Sequence, residues 1–317
     1  MKMQNRFVPG MLAALAVLLS SQSPLALAAG GGKSKLLDLS IPDELFKVQI
    51  KASCSTVSGK ATLYWWSGRM YSRVPGEKDR LLFNVHGMNT RRCEIKTDPK
   101  KGLCWRSVSR EVMFYLDPET NTILREWKNP WTGETVPVLH VANDPVNLQP
   151  TSRFICARDE EGKPVVRDGM MVKDDVVLEG GAAARLFYKN PLAGEYQDYV
   201  GGMYHAMEFG TTAIPLASAR NAAITDFNDS VISWGRISRW IPWMKMGDRE
   251  GLVIFHTAGM RLDNFAQLPE VVRNEIDLNY PQYREPPPLD DPRPNETSWT
   301  VFKKYVDSKR AGDGQRK

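Results

Sequence analysis

Hydrophobic and polar positions alternate in short runs along most of this chain. ATLYWWSGRMYSRV, RLLFNVHGMNTRR, SVSREVMFYLDPET, NTILREWKN and TVPVLHVAND are such runs, and PGEKD, DPETN, NPWTGE and NDP punctuate them. Period-two alternation broken by Gly, Pro, Asn and Asp is the pattern of short strands joined by turns. It resumes in KDDVVLEG, AARLFYKN, YVGGMYHAMEFG, VISWGRISR and GLVIFHTAGMRL. Helical spacing is confined to QLPEVVRNEIDLNYPQY and SWTVFKKYVDSKR, where Trp299, Phe302 and Tyr305 share an apolar side, while residues 215–229 read as a short helix or an irregular insertion over one end. The pattern predicts a mainly β fold, a large antiparallel barrel or meander of calycin-like kind with short peripheral helices. No low-complexity linker divides it. One β-rich domain is expected over residues 45–283, with an extended segment and a C-terminal helix over 284–317 packed on it.

Alternation also sorts side chains onto faces. Asn84, His86 and Met88 share one, as do Arg69, Tyr71 and Arg73, Val138 and His140, and Ile254, His256 and Ala258. Met203, His205, Met207 and Phe209 form another row, with Tyr204 and Glu208 opposite. All four histidines, His86, His140, His205 and His256, therefore stand on strands or strand ends among apolar neighbours. That is the placement expected for imidazoles facing a barrel interior, where at least two would share a cavity. Neutral imidazoles there could move a proton or orient a ligand. Glu111, Glu208 and Asp144 are candidate charged partners, and Arg69, Arg110 and Arg236 could hold an anion. The expected catalytic group is His205, Glu208 and Tyr204, with a burial-raised Glu208 as proton carrier. The expected ligand contacts are His86, His140, His256, Arg69, Tyr71, Trp131 and Trp234. RWIPWMKM, residues 239–246, reads as a lid or rim. No H-E-x-x-H, serine elbow or phosphate-cradling loop is present, so neither metal nor cofactor is assigned.

The first 28 residues change the setting. Lys2 and Arg6 precede an apolar run that ends in Ala26-Leu27-Ala28, the order of a secretory signal. Cleavage there would leave a flexible leader over 29–44 and place the protein in the periplasm or outside the cell. It would also lower the formal charge from +5 to +3 by removing Lys2 and Arg6. A mixed surface with so small an excess gives no basic stripe for nucleic acid. No later segment is long and apolar enough to anchor the chain in a bilayer. Four cysteines in an exported chain permit two disulfides. Cys93 and Cys104 flank the polar loop EIKTDPKKGL and are the expected hairpin staple, leaving Cys54 with Cys156.

LYWWSGRMYSRVPGE, FYLDPETNTILREWKNPWTGETVPVLHVANDPVN and GLVIFHTAGMRL together resemble domain-of-unknown-function family 1838 over about residues 45–300. The most specific stretch is Trp127–Asn147, with Asn129-Pro130-Trp131-Thr132-Gly133-Glu134 followed by His140. The resemblance implies one continuous domain and carries over no residue roles.

The leading expectation is an exported barrel whose interior binds a small, partly apolar or aromatic molecule. A periplasmic enzyme performing hydrolysis, elimination or isomerisation in a His/Glu/Tyr pocket is the runner-up. A structural or protein-interaction module is the third reading.

Overall fold

The long alternating runs pair as the period predicts. In the computed structural model, which describes residues 35–147, 154–165, 170–180, 184–190, 192 and 203–314, a helix α1 (Pro42–Ser53) precedes strands β1 (Ala61–Arg73), β2 (Arg80–Asp98) and β3 (Gly102–Leu116). A two-stranded ribbon, β4 (Glu126–Lys128) and β5 (Thr135–Pro137), leads to β6 (Val141–Asn147) and β7 (Ile155–Cys156). Then come β8 (Met170–Lys173), β9 (Val176–Gly180), β10 (Ala184–Lys189), β11 (Met203–Pro215), α2 (Leu216–Arg220), β12 (Val231–Ser238) and β13 (Leu252–Leu262). Helices α3 (Glu270–Asn279) and α4 (Ser298–Gly314) follow. Helix α1 lies within the stretch read as leader and domain start. Pro42 at its first turn, Asp43 and Glu44 beside the positive end and Lys51 in the last turn all favour helix there. Leu37 just before it is buried.

Eleven strands form one antiparallel sheet in the order β6-β3-β2-β1-β13-β12-β11-β9-β8, with β7 beside β3 and β10 beside β11. The expected barrel is corrected to an open sheet, because among the described residues no ladder joins the β6 side to the β8 side. The physical reason lies at the β6 edge. Pro145 sits inside β6 and has no N–H to offer a further strand. That edge is covered instead by the approach to α4, where Glu296 N–H donates to the Pro145 carbonyl at 2.8 Å and Arg293 Nη2 donates to Asp144 at 2.7 Å.

The two sheet faces are covered unequally. The inner face holds the main core, including Met70, Phe83, Val85, Tyr115, Tyr204 and Phe255, and Trp299, Phe302 and Val306 of α4 close it. Trp240, Trp243, Met244 and Met246 are buried in the same core, so RWIPWMKM is interior packing and not a lid. On the outer face, α3 covers β1–β3 through Val272 and Ile276, with Leu268 just before it, against Met88, Val112 and Phe114. Farther along, over β10–β13, no helix among the described residues covers the same face.

The disulfide pairing also differs from expectation. The β2 and β3 ladder runs unbroken to Asp98↔Gly102, which shortens the supposed loop to a tight turn. In that register Cys93 faces Ser107 while Cys104 faces Lys96, three positions away along the strand. An odd offset puts the two side chains on opposite faces, where they cannot bond. Cys93 instead meets Cys54 at the end of α1, with 6.2 Å between the Cα atoms. Cys104 meets Cys156 directly across the β3–β7 pair.

Candidate functional site

Period-two geometry on β11 turns Tyr204, Ala206 and Glu208 inward and Met203, His205, Met207 and Phe209 outward. On the neighbouring strand, Trp234 and Arg236 point inward, and the register sets Glu208 opposite Arg236. The Arg236 guanidinium is consequently shared: Nη1 donates to Glu208 Oε1 at 3.0 Å and Nη2 donates to the Tyr204 hydroxyl. Its Nε is buried without a partner among the described residues.

The sheet coils enough to bring β3 and β6 across from β11 and β12. A small cavity is walled by Met113, Tyr115 and Val141 on one side and by Tyr204, Trp234 and Arg236 on the other, with Trp299 of α4 over it. Its volume is about 30 Å³, room for a water or two and no more. Trp299 seals it by packing edge-on to Tyr204, with ring centroids 4.8 Å apart.

Next to this cavity, β2, β3 and β6 contribute a polar row in which Asn89 faces Glu111 and Glu111 faces Asn143. Asn89 and Asn143 are 4% and 7% exposed, and each has a buried Oδ1 with no partner among the described residues. Trp66 Nε1 is in the same condition. Its indole lies flat over Gly87, where a Cβ would come within 2.2 Å of the ring. Unpaired buried donors and acceptors are costly, and several on one face mark a place where water or a ligand completes them.

Burial raises the Glu111 carboxyl to about 7, the nearby Glu208 charge adds to the rise, and Arg236, Arg91 and Asn143 oppose it. For Arg236, burial works against the charge, but Tyr204 and Glu208 outweigh it and its pKa is raised. Burial is also the main cause raising the Tyr115 phenol and holding Tyr188 up at about 12. The cluster thus combines a carboxyl that changes charge near neutrality, a fixed cation with one free N–H, and tyrosines that stay protonated.

Only part of the sequence-derived site assembles. Tyr204, Glu208 and Trp234 come together on the inner face. His205 is exposed on the opposite face and cannot join Glu208, because successive residues of a regular strand alternate. His256, Arg69 and Tyr71 also lie on the outer side, with His256 opposite Arg69 on the β13–β1 ladder. His86 stacks on Trp65, centroids 5.9 Å apart, and burial lowers its pKa. His140 accepts the Tyr115 N–H through Nδ1 at 3.2 Å and is held down at about 4, chiefly by burial and then by Arg125. Trp131 lies away from the cluster, against Trp240 and with Nε1 bonded to Glu77. The barrel interior that at least two of the histidines were expected to share does not form, because the sheet is open, and His205 and His256 are exposed on its outer side. Asp144 and Arg110 pair at 2.9 Å at the β6 edge. Among the described residues no group of three His, Cys, Asp or Glu side chains is placed to hold a metal.

Glu111 and Arg236 stood out in the sequence only as charges available somewhere. Tyr115, Asn89 and Asn143 gave no separate signal, because an uncharged polar residue at an inward position looks like any strand residue. The binding of an apolar molecule in a barrel interior is overturned by the open sheet and by the filling of its inner face with core side chains and α4.

No helix among the described residues is long and apolar enough to cross a membrane. A search of curated proteins finds no match to the chain. The family comparison does find one: a model described as protein of unknown function, DUF1838, matches residues 59–306, and the chain belongs to that family.

Proposed function

We propose that the inner-face cluster is a proton-transfer site and that the protein is an enzyme of the isomerisation or elimination kind acting on a small anionic substrate. The observation that carries this reading is Glu111, raised to about 7 beside the Arg236–Glu208–Tyr204 group. A carboxyl near neutrality can both take and return a proton at working pH. Arg236 keeps Nε free to bind an anionic group, while Glu208 and Tyr204 fix the guanidinium in place. Trp66 Nε1 would donate to the substrate, and Asn89 and Asn143 would accept from it. Histidine has no part in this scheme.

With about 30 Å³ free, even a small substrate must displace Trp299 and the start of α4. Entry by a moving closing element would exclude water during the reaction. An exported location belongs to the same proposal and is supported by the two disulfides.

The test is proton exchange in heavy water. The chain is incubated with a panel of small carboxylates bearing an acidic C–H, including 2-oxo, 3-oxo and 2-hydroxy acids, and deuterium incorporation is followed by mass spectrometry and proton NMR. Incorporation into at least one acid, lost in Glu111→Gln and strongly weakened in Arg236→Met, is the expected result. Wild-type exchange in Glu111→Gln overturns the assignment.

A further inference from the structure

The outer face of β10–β13 is the part of the molecule that the inner-face chemistry does not use. Strand alternation turns Phe187, Met203, Met207, Phe209, Ile237 and Met260 outward there. All six are exposed, Phe187 by 68%. Monomeric proteins rarely leave contiguous apolar area of this kind without a use for it. Helix α3 covers the continuation of the same face over β1–β3, so the exposure is confined to one end of the sheet.

The charged residues on that face carry one sign. Among the outward positions of β1, β11, β12 and β13 the charged side chains are Arg69 and Arg73, and Lys189 ends β10. None of these outward positions is Asp or Glu. Arg73 is paired with Asp79 from the adjoining turn, whereas Arg69 and Lys189 are exposed. The surface is also smooth at its centre, because the Phe209 ring lies over Gly235, where a Cβ would come within 2.6 Å of it.

We infer that this face docks on a lipid bilayer containing anionic headgroups. Exposed aromatic and Met side chains enter the headgroup–acyl boundary, and Arg69 and Lys189 lie at the level of the negative charges. The charge pattern selects this occupant. A second copy packed symmetrically would set a cationic apolar face against itself with no carboxylate to answer Arg69 or Lys189. A bilayer supplies the missing negative charge and needs no matching pocket. The inference is independent of the proton-transfer reading, since it uses none of the same residues.

Sedimentation with vesicles tests it on the full chain. One vesicle type is phosphatidylcholine with phosphatidylglycerol, and the other is phosphatidylcholine alone. The expected result is co-sedimentation with the anionic vesicles, falling with added salt. The Phe187→Ser/Met203→Ser double variant should weaken it by about tenfold or more, from the apolar area withdrawn from the bilayer. Arg69→Gln with Lys189→Gln should weaken it by about tenfold or more, from the attraction of each cation to an anionic surface. Any contribution from outside the face is common to wild type and variants. These positions are exposed, and an unchanged urea midpoint would confirm that folding is intact. Failure to sediment with anionic vesicles, equal sedimentation with neutral ones, or wild-type binding by both variants would each overturn the inference. So would a dimer in analytical ultracentrifugation that the same variants dissociate, because it would place a second copy on the face.

Discussion

Replacing Glu111 by Gln should make the fold more stable at neutral pH, although it removes a charged group from a cluster that contains two arginines. The carboxyl is raised from 4.5 to about 7, first by burial and then by Glu208. The unfolded chain therefore releases this proton earlier than the native one, and stability falls as pH rises between those values. At about 1.4 kcal/mol per pKa unit the loss is roughly 3 kcal/mol by pH 8. Gln keeps the volume and can still bond to Asn143 or water, but it does not titrate. Urea unfolding of both proteins, with disulfides intact, should show the stability difference shifting by roughly 3 kcal/mol in favour of the variant between about pH 4 and pH 8. A difference that is constant with pH would refute the reasoning, because a desolvated carboxyl cannot be neutral in effect on both sides of its own titration. A shift in favour of wild type would mean that Arg236 and Arg91 outweigh burial.

His140 should act in the opposite sense over nearly the same window. Held near 4, it loses stability for the fold as pH drops below about 6.5, and His140→Asn should flatten that acid limb in the same urea series. Because the two slopes oppose each other, wild-type stability between those pH values should change less than in either variant. Gly87→Ala should cost about 1–3 kcal/mol, since its Cβ would enter the space of the Trp66 ring, and a thermal midpoint equal to wild type would contradict that packing. Non-reducing peptide mapping should join Cys54 to Cys93 and Cys104 to Cys156; a Cys93–Cys104 peptide would contradict the β2–β3 register.

Strand identity was legible because alternation is local. The separation of Tyr204 and Glu208 from Met203, His205, Met207 and Phe209 follows from the period alone, and the structure has it. Which face is interior was not legible. The Met/His/Phe row is the more apolar and reads as the buried one, yet Glu208 and Tyr204 face the core, because Arg236 arrives from the next strand to neutralise and bond them. Closure was hidden for a similar reason: whether the last strand meets the first depends on distant edges. Pro145 was visible in the sequence, but the segment that covers its edge lies about 150 residues away, as the Glu296–Pro145 bond shows. The disulfides turned on register. A loop of polar residues suggested a staple, while a turn tightened by Asp98, whose carboxylate accepts the Lys100 and Lys101 N–H groups, let the strands continue past it. Among the site residues, Arg236 and Glu111 were legible as charges on strands but not as neighbours. Only coiling of the sheet brings β3 across from β12.

The claim on which the proposed chemistry rests is that Glu111 exchanges its proton near neutrality within a folded, mostly dry cluster. Its side-chain carboxyl carbon can be followed directly by carbon-13 NMR, with Glu111→Gln identifying the signal. The titration midpoint should lie near 7, displaced downward in Glu208→Gln because a neighbouring negative charge has gone. A midpoint near 4.5, unchanged by Glu208→Gln, would contradict it.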